Sequence, residues 1–441
     1  MLERTFGLSS SGTNVRQEIF AGFTTFMTMS YIIFVQPAVM GAAGMDTGAV
    51  MVATCLASAI GTLAMAFLAN YPIALAPAMG HNFFFTYTVV LILGYTWQEA
   101  LGAVFIAGAV FILLSGVGFR ERVMTSIPDT LRSSIPVGIG LLIALVGLEW
   151  SGIVVSNPST YVALGDLSST PALVSISGLI IMSVLFAKGF RWAIMAGIIT
   201  TGIIALFSGL AEYHGIFAAP PSIEPTLFKL HIPNPLESTE LITVIFIFLF
   251  LDIFDTVGTL IGVSQQGGLM KDGRLPRARQ ALLSDAIATC TGAILGTSTV
   301  TSYIESAAGI TAGGKTGFSN VVTASLFVLA IFFNPIVEMI GSGFRTADGT
   351  TLYPVIAPAL IIVGSMMFAN ISNIKWEDYT ESIPAFLTLI MMPLAFSITE
   401  GISFGVIAYA LLKLVSGRGK EVNWIIYIFA VLFVIRYILL V

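Results

Sequence analysis

Three carboxylates lie in stretches of the sequence that are otherwise almost entirely apolar. Asp252 and Asp255 lie within Phe246–Gly262, and Glu305 lies within Gly296–Ile310. A carboxylate inside a hydrocarbon-length segment is costly, so it ordinarily faces a protein or water-filled cavity and marks a functional site. The spacing of Asp252 and Asp255 places both on one face of a helix. The residue types therefore indicate binding or proton chemistry, and the alternative is that these acids only hold helices together.

The composition places these acids in a membrane protein. The 441 residues are 56% hydrophobic and 10% charged, with a mean hydropathy of +0.95, whereas soluble domains carry about 25% charged residues. A net charge of −5 without a basic patch argues against nucleic acid as a partner. The cysteines and histidines form no disulfide framework and no metal-binding spacing, so we expect no cofactor. The N-terminus lacks the features of a signal peptide, so we expect the first span to be retained.

Apolar stretches of about twenty residues, long enough to cross the hydrocarbon core of a bilayer, recur along the whole chain. They predict an all-α polytopic protein that crosses the lipid bilayer in about fourteen segments. The predicted spans are 18–40, 48–70, 98–117, 133–150, 172–187, 191–211, 239–264, 279–297, 319–341, 354–370 and 423–440, with broken segments near 73–93 and 297–314 and short helices at 383–398 and 400–416.

The positions of Lys and Arg predict a cytoplasmic N-terminus, because basic residues concentrate in cytoplasmic loops. Arg418 and Lys420 fit this orientation only if 383–416 forms a short hairpin that returns to the cytoplasmic side. The proline-rich connection 212–237 then lies on the outer side, between two halves of the chain. The basic residues that fit simple alternation are Arg4, Arg16, Arg120, Arg122, Arg132, Lys188, Arg191, Lys271, Arg274, Arg277, Arg279, Lys315 and Lys375.

The two broken segments occupy matching places in the two halves. Asn82 and Glu305 are separated by 223 positions (305 − 82), and the same shift moves Glu18, which opens the first span, to Leu241, which opens the span of Asp252. An odd number of crossings in each half would invert the second copy. Paired, interrupted segments at corresponding positions of inverted repeats are the best indication in a sequence of a carrier's binding site.

Each broken segment predicts a short extended stretch followed by a half-helix. In the first, Pro72 and Pro77 disfavour helix in the residue before each, and we predict a half-helix from about Met79–Asn82. In the second, Thr297–Thr301 favours extended backbone, and we predict a half-helix from about Ser302. Irregular backbone at membrane depth is tolerated only where it is buried in protein or lines a cavity. The breaks therefore predict a cavity faced by two helix N-termini, which suit an acceptor or anion, and two kinked helices are the alternative.

The polar residues predicted at this cavity are acceptors and hydroxyls rather than cations, which suits a flat, neutral ligand rich in N–H donors. Phe83 and Tyr303 supply aromatic faces for stacking, although such rings also pack in cores. His81 is a candidate hydrogen-bond donor or proton-carrying group, with packing as the alternative. The candidate substrate-binding residues are Asp252, Glu305, Asn82, Phe83, Thr301 and Tyr303.

At these residues the chain resembles the AzgA-like purine permeases, the adenine–guanine–hypoxanthine branch of the nucleobase:cation symporter-2 (nucleobase–ascorbate transporter) family. The segments that carry the resemblance are Ala74–Asn82, Phe250–Val263, Gly296–Gly309, Gly22–Pro37 and Glu381–Ile402. The resemblance implies fourteen segments in two inverted repeats of seven, with segments 3 and 10 discontinuous. It implies a core domain formed by 1–130 and 236–345, and a gate domain formed by 131–235 and 346–441.

The resemblance further implies substrate contacts from Asp252, Glu305 and Asn82, with Asp255 as the second acid of the eighth segment. It implies proton-coupled import of purine bases by alternating access between core and gate domains in the cell membrane, with no enzymatic activity. His81 departs from the family pattern, where we expect a small or apolar residue. For the proton we predict Asp252 coupled to Asp255, because burial at mid-helix favours a protonated carboxyl group, with Glu305 or His81 as the next candidates. Glu305, predicted in the first turn of its half-helix, is expected to stay ionised.

Several alternatives remain open at this point. A carboxylate pair suits guanine or hypoxanthine somewhat better than adenine, because those bases present N–H donors at N1. An anion carrier of the same architecture would need a cation at the half-helix N-termini, and an intramembrane aspartyl protease would need two aspartates facing each other from different helices. None of the candidate residues is basic, and Asp252 and Asp255 share one helix. Proton or sodium coupling, a homodimeric state and the side of the C-terminus are not decided.

Overall fold

The computed structural model of the chain describes residues 2–117, 128–232, 239–270, 275–341, 343–346 and 349–439. Part of the orientation prediction depends on residues outside these ranges, namely Arg120, Arg122, Lys271 and Arg274. The predicted domain boundary between 235 and 236 also lies outside the described residues.

Helices make up most of the described chain. In chain order they are α1 (Leu2–Phe6), α2 (Val15–Met29), α3 (Ile32–Ala42), α4 (Thr47–Ala64), α5 (Met79–Phe83), α6 (Trp97–Val117), α7 (Asp129–Trp150), α8 (Thr170–Ala187), α9 (Ala193–Phe207), α10 (Thr239–Gln266), α11 (Ala278–Leu295), α12 (Ser306–Thr311), α13 (Gly317–Ala330), α14 (Asn334–Gly341), α15 (Ala357–Met367), α16 (Tyr379–Leu394), α17 (Ile398–Val415) and α18 (Trp424–Leu439). The strands are β1 (Leu75–Pro77), β2 (Val154–Asn157), β3 (Tyr161–Leu164), β4 (Val300–Ser302), β5 (Phe344–Arg345) and β6 (Thr351–Leu352). Turns of π-helix extend α4 (Met65–Ala69) and α5 (Phe84–Ile92), and 3-10 turns occur at Ile331–Phe333, Phe368–Asn373 and Gly419–Glu421.

The helices have the length and hydropathy expected of membrane spans. Among the described residues, eight helices are long and apolar enough to cross a bilayer. Shorter apolar helices occur at Met79–Ile92, Ala193–Phe207, Ala357–Asn373 and Trp424–Ile438. The prediction of an all-α polytopic membrane protein is confirmed, whereas the count of fourteen segments stays a prediction.

The chain divides into two compact units. The first comprises Met1–Gly116 and Trp150–Ala359, and the second comprises Val117–Glu149 and Leu360–Val441. Every candidate site residue belongs to the first unit. The division into core and gate domains that the family resemblance implies stays a prediction.

The first span contains a local break that the sequence did not indicate. It runs from Val15 to Ala42 but is divided into α2 and α3 at Ser30 and Tyr31. Pro37 lies inside α3, and its missing N–H leaves the carbonyl of Ile33 without its helical partner, one turn after the break. The break leaves Tyr31 at the junction of two helical pieces.

The two broken segments meet as a pair of short antiparallel strands. In β1 and β4, Leu75 lies opposite Ser302 and Pro77 lies opposite Val300, and both strands are fully buried. Pairing satisfies backbone groups that water cannot reach at membrane depth. The predicted order, an extended stretch followed by a half-helix, is confirmed in both segments.

The second half-helix begins later than predicted. It starts at Ser306 rather than near Ser302, so Glu305 is the residue immediately before α12 instead of lying in its first turn. The reason is tertiary: Ser302 is held extended because it pairs with Leu75 and its N–H donates to a buried carboxylate of Asp285 (2.9 Å).

The second unit contains the predicted short hairpin near the C-terminus. Helices α16 and α17 replace the predicted 383–398 and 400–416. Arg418, after α17, donates to the carboxylate of Asp378, before α16, at 2.6 Å, so the hairpin starts and ends on the same side. The hairpin condition set by Arg418 and Lys420 is therefore met, while the cytoplasmic assignment stays a prediction.

Candidate functional site

The paired strands place the starts of two half-helices beside each other. The backbone N–H of Ala78 donates to the carbonyl oxygen of Thr299 (2.9 Å), and that of Tyr303 donates to Ala74 (2.9 Å). Helix α5 begins one residue after Ala78, and α12 begins three residues after Tyr303. This is the arrangement the sequence predicts for a binding site at interrupted segments.

Asp252 and Asp255 have opposite environments although they lie one turn apart on α10. The side chain of Asp252 is 1% exposed, and Thr289 of α11 donates a hydrogen bond to its Oδ2 (3.1 Å). Its Oδ1 is buried without a hydrogen-bond partner in the described part of the chain. Asp255 is exposed and lies close enough to Glu305 for their charges to interact. Asp252 is thus buried against α11, and Asp255 faces open space.

Glu305 is partly exposed and anchored on one side. The Tyr31 hydroxyl donates to its Oε1 (2.7 Å), and Thr28 donates to its backbone oxygen (3.3 Å). Helix α12 sits directly on α2, since a Cβ added at Gly309 would lie 2.7 Å from the backbone oxygen of Ala21. This packing and the break at Tyr31 together fix the Glu305 carboxylate at the mouth of the strand pair.

Asn82 belongs to a buried chain of amide and hydroxyl groups. Its side-chain amide donates to Gln36 Oε1 (2.7 Å). The Gln36 amide in turn donates to the hydroxyls of Thr297 and Ser298, both at 2.9 Å. Asn82 is fully buried, and its own Oδ1 has no hydrogen-bond partner among the described residues. The chain ties α3, α5 and the start of the second broken segment together and leaves one acceptor unoccupied.

Thr301 and Tyr303 both make internal hydrogen bonds. Thr301 Oγ1 lies 2.7 Å from Thr256 Oγ1 and donates to Asp285 (3.2 Å). The Tyr303 hydroxyl donates to the backbone oxygen of Pro77 (2.5 Å), and its ring is near enough to Glu305 and Asp255 for their charges to act on it. Both residues therefore lie near the acids, but their hydroxyl groups already make hydrogen bonds within the protein.

The rings of the first half-helix are buried. Phe83 is 1% exposed and stacks nearly parallel on Tyr87, with ring centroids 5.7 Å apart and planes at 8°. Phe84 packs against Phe248 in an edge-on arrangement with centroids 4.8 Å apart. His81 is also buried, and neither of its ring nitrogens has a hydrogen-bond partner among the described residues. In this conformation these side chains pack inside the protein.

Asp285 is an acid of the site that the sequence reasoning missed. It is fully buried on α11 and accepts hydrogen bonds from Thr256 (2.7 Å), Thr301 (3.2 Å), and the Ser302 backbone (2.9 Å) and hydroxyl (3.1 Å). Its charge interacts with that of Asp252. The signal was present, because Asp285 is a lone carboxylate in the predicted span 279–297, and the rule that identified Asp252 applies to it equally.

Tyr31 and Gln36 were also missed as site residues. Both lie in the predicted first span, where a hydroxyl and an amide among apolar residues carry a weaker signal than a carboxylate. Because Tyr31 bonds to Glu305 and Gln36 bonds to Asn82, the broken first span also forms part of the site, beside the two half-helices.

The arrangement presents acceptors to a ligand in two layers. The accessible layer contains the carboxylates of Asp255 and Glu305. Behind it lie Asp252 and Asp285, which are buried and adjacent. Hydroxyl groups and the Ser302 backbone N–H donate hydrogen bonds to these acids. Such a site can bind N–H donors at the open acids and hold a proton between the buried ones.

Comparison with known proteins gives matches over nearly the whole chain. A family model described as Permease family (Xan_ur_permease) matches residues 16–404. A putative permease of Methanocaldococcus jannaschii is 47% identical over 441 residues, covering 100% of this chain and 98% of that protein. Adenine permease AdeP of Escherichia coli is 42% identical over 437 residues (99% and 96% covered). Guanine/hypoxanthine permease PbuG of Bacillus subtilis is 43% identical over 447 residues (99% of each covered).

Among solved structures, the transmembrane domain of a cyanobacterium bicarbonate transporter, BicA, has the same fold. The TM-score is 0.63 at 15% sequence identity, with 89% of this chain and 97% of that domain covered. At this identity the similarity concerns the architecture alone, and it agrees with the inverted-repeat fold predicted from the sequence.

Proposed function

Because the chain belongs to this permease family, we propose that it imports purine nucleobases by proton symport, with alternating access between core and gate domains. It is a multi-pass membrane transporter rather than an enzyme, as the names of its relatives indicate. The proposed location is the cell membrane with a cytoplasmic N-terminus. The purine substrate is supported by relatives named for adenine and for guanine/hypoxanthine.

The observation that carries the proposal is the pair of accessible carboxylates, Asp255 and Glu305, within electrostatic range of each other. Guanine presents the adjacent donors N1–H and the 2-amino group, and hypoxanthine presents N1–H, whereas adenine lacks a donor at N1. Hydrogen bonds to charged groups contribute about 1.5–3 kcal/mol each. Two such contacts for guanine and one for hypoxanthine favour these bases over adenine at this site, with adenine as the weaker substrate.

The geometry supports a division of labour among the predicted residues. Asp252 was predicted to act both in base binding and in proton coupling, and its 1% exposure supports the proton role. The exposed Asp255 takes the base contact beside Glu305. Asn82 is fully buried, so its proposed base contact through Oδ1 belongs to a conformation in which that atom becomes accessible, while Thr301, Tyr303 and Phe83 shape the site through their contacts with Asp285, Pro77 and Tyr87.

The proton is assigned to Asp252 together with Asp285. Two adjacent buried carboxylates favour a state in which one is protonated, and the Asp252 Oδ1 has no other hydrogen-bond partner in the described part of the chain. Asp285, which lies within hydrogen-bond distance of the Thr256, Thr301 and Ser302 hydroxyls and of the Ser302 backbone N–H, is stabilised in its ionised form. Protonation of Asp252 therefore removes the repulsion within the pair. His81, without polar contacts to the acids among the described residues, is the secondary candidate.

The anion-carrier and protease alternatives are less well supported. An anion carrier needs a cationic group at the half-helix N-termini, and the groups bonded to Glu305 and Asn82 are a hydroxyl and an amide. Asp252 and Asp285 do lie on different helices, as a protease would need. However, the donors on Asp285 leave it fixed as a scaffold acceptor.

Uptake of labelled hypoxanthine into proteoliposomes tests the function. Competition by unlabelled guanine, hypoxanthine, xanthine and adenine ranks the bases, and we expect guanine and hypoxanthine to compete most strongly. An imposed inward proton gradient should drive accumulation that a protonophore abolishes. Accumulation that follows a sodium gradient at equal pH would replace the proton with sodium, and uptake of anions alone would remove the purine proposal.

A further inference from the structure

A cavity of about 310 Å³ lies in the first unit, and its lining includes none of Asp252, Asp255, Asp285 and Glu305. It is lined by Phe34, Pro37 and Gly41 of α3, by the start of α4, by α14, and by Pro221 and Tyr353. Its volume is at the lower end of the range for ligand pockets, which suits a ligand of the size of a nucleobase.

One face of α14 gives this cavity its polar groups. Asn334, Val337, Glu338 and Gly341 all line it, and their spacing repeats along one side of a helix. The Asn334 Oδ1 is buried without a hydrogen-bond partner, in the described part of the chain. Glu338 is exposed. Glu338 is therefore the accessible charged acceptor of the lining, and the described residues that line the cavity include no basic side chain.

Aromatic faces complete the lining. Phe34 is buried, and the Tyr353 ring is fixed against Trp150 with centroids 4.4 Å apart. Rings held in place by packing offer stacking surfaces to a flat ligand. A carboxylate, Glu338, beside aromatic rings is the same combination of groups that the sequence predicts around Glu305.

The cavity shares a wall with the central site. Phe34, Pro37 and Gly41 recur on one side of α3 and line the cavity. Gln36, on the same helix, bonds to Asn82, and Tyr31, just before it, bonds to Glu305. Pro221 belongs to the connection 212–237, which the Lys and Arg pattern assigns to the outer side. Helix α3 therefore lies between the cavity and the residues around Glu305 and Asn82, and the cavity is next to the 212–237 connection.

We propose that this cavity is an entry subsite that binds the nucleobase before it reaches Asp255 and Glu305. The base donates an N–H group to Glu338 and lies against Phe34 or Tyr353. The inference rests on the proposed purine transport. Its specific consequence is kinetic: a base passes through the subsite on the way in and on the way out, so weakening the subsite slows passage in both directions and leaves equilibrium binding at Asp255 and Glu305 unchanged.

Two variants test it by different means. Glu338→Gln removes the charged acceptor from an exposed position. Gly341→Leu fills the cavity, and a side chain is accommodated there because the nearest atoms to an added Cβ are 3.8 and 4.0 Å away. Glu224→Gln is the matched control, since Glu224 is an exposed acid on the same connection and is not part of the lining. Initial uptake rates are measured in right-side-out and inside-out vesicles at equal protein levels.

We expect Glu338→Gln and Gly341→Leu to raise KM about three- to tenfold for entry from the connection side, as expected for loss of one charge-assisted contact. Because both directions share one path, the ratio of maximal rate to KM should fall by the same factor in the opposite direction, whereas equilibrium binding of guanine at the central site and the Glu224→Gln control should stay at wild-type values. An unchanged KM in both variants would overturn the subsite, as would weakened equilibrium binding of guanine in them or an equal rise of KM in Glu224→Gln. If the wild type itself takes up no purine, the proposed function fails first, and the subsite fails with it.

Discussion

Replacing Asp252 by Asn is the sharpest test of the proposed proton site, because it removes the titrating group with little change of shape. The amide oxygen can still accept the hydrogen bond from Thr289 that Asp252 Oδ2 now accepts at 3.1 Å. The amide N–H₂ then takes the place of Oδ1, which has no partner among the described residues, and can donate towards Asp285. The variant therefore resembles a permanently protonated Asp252, and we expect it to fold and to bind the base.

The expected loss is in energy coupling. One proton moving down a gradient of one pH unit supplies about 1.4 kcal/mol, or tenfold accumulation, and one charge crossing 100 mV adds about 2.3 kcal/mol. Together these allow accumulation of several hundredfold in the wild type. In proteoliposomes with both gradients imposed, Asp252→Asn should bring the internal base only to the external concentration. Exchange of labelled for unlabelled base should continue and should lose its pH dependence.

Asp129→Asn is the matched control, because it makes the same chemical change at a side chain that is 81% exposed and lies outside the site. It should accumulate base as the wild type does. If Asp252→Asn also concentrated hypoxanthine under a pH gradient, the proton would have to be carried by another group. The assignment of Asp252 would then be refuted, with Glu305 and His81 as the groups to test next.

Three further outcomes are expected. Glu305→Gln should weaken equilibrium binding of guanine at least about tenfold, since it removes the charge of an accessible acceptor; unchanged affinity at normal membrane levels would exclude Glu305 from the base contact. Leu replacements at Phe83 and Phe85 should reduce affinity unequally, because residues two apart lie on different faces of a helix and cannot both point into one cavity. Equal and small losses would show that both rings only pack against neighbouring helices. Hydrogen bonds from Arg418 and Lys413 lower the pKa of Glu421 to about 2, below its unfolded value of about 4.3. The stabilisation is thus present above about pH 4.3 and is lost as pH falls towards 2. The difference in melting temperature between wild type and Arg418→Met should therefore shrink on acidification. A constant difference from pH 7 to pH 2 would contradict this account.

Much of the architecture could be predicted from local sequence. Apolar stretches of membrane length predict the spans, because a helix must be long and apolar enough to cross the hydrocarbon core of the bilayer. Prolines and β-branched residues predict the extended pieces at 75–77 and 300–302, because they disfavour helix locally. The candidate acids stood out because a carboxylate is rare in such surroundings. Each of these signals lies within a few residues of the feature that it predicts.

What only the tertiary structure decided is how these residues are paired. Asp252 and Asp255 are the same residue type on one helix, yet the packing of α11 buries the first and leaves the second exposed. Ser302 is held extended by its pairing with β1 and by its hydrogen bond to Asp285. This places Asp285 in the site and makes α12 begin later than predicted, so Glu305 precedes that helix. These contacts join segments far apart in the chain, and burial depends on which surfaces meet rather than on the neighbours in sequence. The sequence by itself therefore determined which residues could carry the chemistry, and the pairing of the two broken segments decided which of them face a ligand and which face one another.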